Sequence, residues 1–164
     1  KDNLTHEKSI KEELGVVLDE SNFPDNMSAG DISQVMKNVY KNWNQELFNA
    51  YVKRFDLSDR KSIKEYSRGM KMKLAIAVAL SHNPSLLILD EATSGLDPMV
   101  REEILEIFLE FIQDEKHSIL VSSHIISDLE KVSEGRDHLQ RRKGSASGRL
   151  RDSEMRPFRV GPVG

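Results

Sequence analysis

Leu86-Leu87-Ile88-Leu89 is an unbroken apolar run that stops at Asp90-Glu91. A half-exposed strand alternates apolar and polar residues, so a continuous run predicts a strand of a parallel sheet, covered on both faces. Ser118-Ile119-Leu120-Val121-Ser122 is a second run of this kind, and Leu14-Gly15-Val16-Val17-Leu18 is an earlier short one. Helical patterns separate them, and strand, helix, strand, helix means βαβ units and an α/β sheet.

The helices can be bounded from the same text. Ile32, Val35, Met36, Val39, Tyr40 and Trp43 follow i, i+3, i+4, i+7 spacing, with Ser28 or Asp31 as the cap. Leu47, Phe48, Tyr51, Val52 and Phe55 form a second helix after Asn44, and these aromatics read as a small helical core. Ser67 opens a third helix that runs through Met70, Leu74 and Val78, and His82-Asn83-Pro84 ends it, because a residue before proline leaves the α region. Pro98 stands in the first turn of a long helix with Ile104, Leu105, Phe108, Leu109 and Ile112 on its inner face. Ile125 to Val132 predicts a short helix, and Pro24 keeps the stretch from Asp19 to Asn26 irregular.

Bulk properties exclude several classes. The 164 residues suffice for one domain with a real core, the net charge is −3, and no stretch approaches the apolar length of a membrane span. The absence of cysteine excludes a disulfide framework and thiolate zinc sites, and fits a cytosolic location. Asn3-Leu4-Thr5 and Asn26-Met27-Ser28 match glycosylation sequons, which carry no meaning in a cytosolic chain.

The tail from about Glu134 loses apolar periodicity and holds Arg136, Arg141, Arg142, Lys143, Arg149, Arg151, Arg156 and Arg159 against Glu134, Asp137, Asp152 and Glu154. It reads as a disordered end, as a segment that meets nucleic acid or anionic membrane, or as an out-of-frame translation. The last expectation rests on Asp137 to Ser147, which can be back-translated so that a one-nucleotide shift encodes a strand, a turn and a strand.

Two stretches could carry chemistry. Asp90 and Glu91 close a strand, and in α/β sheets ligands bind outside the carboxyl ends of strands. One carboxylate there can hold Mg²⁺ and the next can polarise a water; simple capping and solvation is the plainer alternative. Ser67-Arg68-Gly69-Met70 opens a helix whose free N–H groups and dipole suit an anion, with Gly69 permitting close approach and Arg68 adding charge; the plainer alternative is an ordinary N-cap.

In combination, Tyr66-Ser67-Arg68-Gly69-Met70, Leu86 to Glu91, Ser94-Gly95-Leu96-Asp97 and His124 resemble, in order and spacing, the signature loop, Walker B strand, D-loop and switch histidine of ABC-type ATPases. The resemblance runs from about Gly15 to Val132, and Tyr-Ser-Arg-Gly-Met-Lys is similar to bacterial exporters of the bacitracin-resistance or ABC-2 type. It implies a partial P-loop NTPase (RecA-like) fold, α/β with a parallel sheet and an inserted helical subdomain. Residues 1–27 would supply the Q-loop strand and loop, 28–66 the helical subdomain, 67–133 the rest of the ATPase core and 134–164 the tail.

The same resemblance implies roles. Asp90 would lie near Mg²⁺, Glu91 would be the general base and His124 would orient water or meet the γ-phosphate. Ser67, Arg68, Gly69 and Met70 would face ATP held by a partner subunit, and Asp97 would belong to the D-loop. The Q-loop glutamine position falls on Asp19 or Glu20, a departure from the family. A larger departure is that no Gly-x-x-x-x-Gly-Lys-Ser/Thr loop occurs, so Walker A and the first strands are missing, and Lys1 reads as an entry point partway into the domain.

The implied partners are a second ATP-binding subunit, paired head to tail, and a transmembrane permease. The implied location is the cytoplasmic face of the membrane, with no nucleic-acid partner. By itself the chain is expected to hydrolyse ATP negligibly and to hide exposed apolar edges by dimerisation, strand exchange or partial disorder. Two other readings stay open: a lobe of an SMC-type chromosome-maintenance ATPase, against which stands the lack of a long heptad coil before Ser67, and a non-catalytic regulator lending its signature to an intact partner.

Overall fold

Three four-residue strands meet side by side at the centre of the computed structural model, which describes residues 10–18, 23–121, 125, 126 and 128–132. They are β1 (Leu14–Val17), β2 (Leu86–Leu89) and β3 (Ser118–Val121). Both pairings are parallel, in the order β1-β2-β3, with Val17 beside Leu89 and Leu89 beside Val121. All three strands therefore end at one edge, and the N–H of Asp90 donates to the Val17 carbonyl at 3.0 Å to extend the ladder there.

Between β1 and β2 lie α1 (Ala29–Val39), α2 (Gln45–Arg54), a 3₁₀ turn (Ile63–Glu65) and α3 (Arg68–Leu80). Between β2 and β3 lies α4 (Pro98–Phe111), and residues 125, 126 and 128–132 are helical after β3. The segment before Ser67 is thus two short helices rather than a long heptad coil.

Each start follows from local chemistry. Ser28 and Asp31 together form a capping box on α1, Asn44 caps α2, and Pro98 occupies the first turn of α4 after Asp97. Helix α3 stops before Pro84 as expected; Asn83 takes a left-handed backbone (φ 54°), a conformation that asparagine tolerates, and its N–H reaches Leu80 O at 3.1 Å.

Helix α3 packs on β1, and Gly15 is the reason it can come close. A Cβ on Gly15 would lie 2.8 Å from Leu87 Cδ1 and 3.0 Å from the Ala79 carbonyl. Leu74, Ile76, Leu87, Ile104 and Phe108 are fully buried in the resulting core. Phe48 and Phe55 join it from α2 and its C-cap, as the small helical core requires.

One expectation needs correction. The sheet is not covered on both faces. Gly15, Val17, Leu87, Leu89 and Val121 are buried, whereas Leu14, Leu86, Ile88 and Leu120 are half-exposed and Val16 is 51% exposed. Buried and exposed positions alternate along β1 and β2, so among the described residues the helices cover one face and leave the other largely bare. Along α1, Ile32 is buried while Val35 and Val39 are exposed. Among the described residues no helix is long and apolar enough to cross a membrane.

Candidate functional site

The carboxyl edge of the sheet carries the acid pair. Asp90 follows β2 directly, and Glu91 adopts a left-handed backbone (φ 48°), an uncommon state for a residue with a long side chain. Both are exposed, while Ala92 and Thr93 behind them are buried, so the turn is anchored and the carboxylates face water. Ser94 N–H closes the turn onto Glu91 O at 2.9 Å, and Gly95 supplies a second left-handed residue (φ 64°) that lets the chain swing into Asp97. The Asp97 carboxylate then accepts from Met99 N–H at 2.9 Å and caps α4.

The Ser67 loop lies against this turn. Ser67 is the N-cap of α3, its hydroxyl accepting from Met70 N–H at 3.2 Å, so the plainer reading of this serine holds. A hydroxyl that accepts in this way retains its own proton to donate. Gly69 has a packing reason: a Cβ there would sit 3.2 Å from Val100 Cγ1 on α4. The Arg68 guanidinium lies over Gly95, with Nη1 2.9 Å and Cζ 3.6 Å from where a Cβ would stand. The start of α3, the turn after Glu91 and the start of α4 therefore form one contiguous surface. Of the residues singled out in the sequence, it gathers Ser67, Arg68, Gly69 and Met70 with Asp97, and connects to Asp90-Glu91 through the turn. Asp19 and His124 lie outside the described residues.

As a metal site the acid edge is sparse. Among the described residues no three His, Cys, Asp or Glu side chains cluster. That suits Mg²⁺ held mostly by water and phosphate oxygens with one protein carboxylate, and does not suit an all-protein cage.

A separate groove of about 430 Å³ lies between β1, α1 and α3, lined among others by Val16, Leu18, Val35, Met36, Tyr40 and His82. His82 is buried, stacks on Tyr40 with ring centroids 4.0 Å apart, and has Nε2 3.0 Å from Leu14 O. Burial lowers its pKa, offset in part by the Leu14 and Val78 carbonyls.

Residues 1–94, more than half of the chain, match the model of the ABC transporter family. The chain belongs to the ABC transporter family. Relatives within it include the lantibiotic transport ATP-binding protein SrtF of Streptococcus pyogenes, 45% identical over 46% of this chain and 33% of that protein. The bacitracin transport ATP-binding protein BcrA of Enterococcus faecalis is 41% identical over 46% of the chain and 24% of that protein. YhcH of Bacillus subtilis, an ABC transporter ATP-binding protein, is 32% identical over 75% and 41%. The chain thus spans between a quarter and two-fifths of the length of these ABC proteins. Among solved structures, the dimeric, ADP- and phosphate-bound ATP-binding cassette MJ0796 superposes with a TM-score of 0.64 at 20% identity, over 77% of this chain and 59% of that one. The α/β fold with a parallel sheet is therefore the fold of ABC ATPase cassettes.

Some features of this ABC chain were not legible in advance. The left-handed backbone of Glu91 has no sequence signal, since glutamate is not a residue that marks positive φ. The approach of Arg68 to Gly95 had one partial signal, a glycine inside a Ser-Gly-Leu-Asp turn.

Proposed function

We propose that these residues form part of the ATP-hydrolysing subunit of an ABC exporter, coupling ATP binding and hydrolysis to transport through a membrane partner. The observation that carries this reading is the contiguity of the Ser67 loop, the Gly95 turn and the acid pair at the end of β2, inside an ABC cassette fold. In this reading residues 28–66 form a helical subdomain, 67–133 belong to the ATPase core, and the groove beside α1 receives a segment of the permease. The subunit would sit on the cytoplasmic face of the membrane.

The chemistry is phosphoryl transfer to water. Asp90 would hold Mg²⁺ through water, and the ion would neutralise charge on the phosphate oxygens. Glu91 would take the proton from the water whose oxygen bonds to the γ-phosphorus as the bond to the bridging oxygen breaks. His124 would orient that water or donate to the γ-phosphate, and Asp19 would occupy the Q-loop position. Ser67, Arg68, Gly69 and Met70 would face the nucleotide of a second ATP-binding subunit, and Asp97 would lie in the contact between the two. Because the 164 residues contain no phosphate-cradling Walker A loop, this polypeptide by itself is expected to bind ATP weakly.

Mg²⁺-ATP hydrolysis measured with the chain alone, and mixed with a bacitracin- or lantibiotic-type ATP-binding protein whose own signature serine is replaced, tests the proposal. Background turnover alone and recovered turnover in the mixture are expected. Tight ATP binding and turnover by the chain alone, or a mixture that stays inactive, would count against it.

A further inference from the structure

We infer that Arg68 is a positioning residue that ties the start of α3 to the turn following Glu91. Three guanidinium atoms, Nη1, Cζ and Nη2, lie 2.9, 3.6 and 3.9 Å from the position a Gly95 Cβ would take. A planar group with three atoms this close to the one Cβ position is laid across the Gly95 backbone rather than extended past it. Gly95 is required by its φ of 64°, which disfavours a side chain, and the guanidinium fills the space beside it.

The contact has a definite mechanical position. Arg68 is the first residue of α3, immediately after the Ser67 cap. Gly95 is the second left-handed residue of a turn whose first is Glu91, and Ser94 N–H binds Glu91 O inside it. Val100 against Gly69 makes a separate contact, between the starts of α3 and α4. Arg68 reaches the turn from α3. It therefore links the conformation of the loop before α3 to that of the backbone carrying the Glu91 carboxylate. On the reading proposed above, the first of these faces a nucleotide on a neighbouring subunit and the second serves this subunit's own site, so the link would make each responsive to the other. The link itself does not depend on that reading, and it is tested without nucleotide.

The test is hydrogen–deuterium exchange on the full 164-residue chain, comparing wild type with Arg68→Ala and Arg68→Lys. In Arg68→Ala, exchange across residues 92–97 is expected to accelerate about tenfold, as for loss of one local tether, while segments 72–80 and 104–109 keep wild-type rates. Lysine carries the charge but not the flat fork, so Arg68→Lys is expected to restore less than half of the lost protection. Unchanged exchange at 92–97, equal acceleration in all three segments, or full rescue by lysine would each overturn the inference. Should Arg68→Ala fail to fold, Arg68→Gln, which keeps a planar polar end on a shorter stem, is read by the same three segments.

Discussion

Lys73 on α3 reaches Glu103 on α4 at 2.6 Å, and its ammonium also stands 5.6 Å from the centre of the Phe55 ring. One cation thus joins the helix behind the Ser67 loop, the helix behind Asp97 and the aromatic cluster of the helical segment. The Lys73 side chain is only 13% exposed, so the pair is shielded more than Arg54–Glu110, whose side chains are 38% and 43% exposed. Lys73→Ala is expected to cost about 1–2 kcal/mol, because it leaves Glu103 without its partner in a partly desolvated place. Chemical denaturation in low and high salt checks this; the Lys73 contribution should survive salt better than that of Arg54.

Ser67→Ala removes the cap of α3 and should lower stability by about 1 kcal/mol. Ser67→Asp supplies another capping oxygen and should keep stability near wild type. If the Ser67 loop meets a phosphate, as proposed, aspartate should still abolish any recovered turnover in the mixed assay. Thermal melts and the mixed assay, run on both variants, separate the cap from the anion contact.

Glu91→Gly should stabilise the chain by about 0.5–1 kcal/mol, since glycine adopts a φ of 48° without strain. The same change removes the proposed base, so turnover in any competent assembly should be lost. A variant that is less stable than wild type would show that the Glu91 side chain makes compensating contacts.

The carboxylate edge was largely legible in the sequence. The run of Leu86 to Leu89 located a parallel strand, Ser67 and Pro98 located helix starts, and register then brings Asp90 to the edge shared with Val17. What escaped was tertiary. An apolar run says that a strand has neighbours, not that both of its faces have them, and Ile88 is half-exposed for that reason. Likewise the α1 pattern says which residues are apolar, not that Ile32 is buried and Val35 exposed.

His82 gives a pH signature. Its folded-state pKa is lowered by burial, below the ~6.5 of a free imidazole, so the unfolded chain binds more protons between the two values. Stability contributed by neutral His82 is therefore complete above about pH 6.5 and declines as pH falls toward the folded pKa. His82→Phe should flatten that slope while preserving the stack on Tyr40. Urea midpoints from pH 7.5 to 5 would reveal it; a slope of opposite sign would mean that the Leu14 and Val78 carbonyls outweigh burial.

Gly15→Ala should destabilise by about 1–3 kcal/mol, because the new methyl group meets the Ala79 carbonyl at 3.0 Å and backbone yields less readily than a side chain. Unfolding of this variant against wild type measures it directly.

The half-covered sheet has a calorimetric consequence. Val16, Ile88 and Leu120 already meet water in the native state, so unfolding hydrates less new hydrocarbon than it would from a sheet sheathed on both sides. The heat-capacity increment per residue should fall below the ~12–15 cal/mol/K of ordinary domains, and the stability curve should be correspondingly flat. Such a chain should lose less stability on cooling than a fully sheathed one.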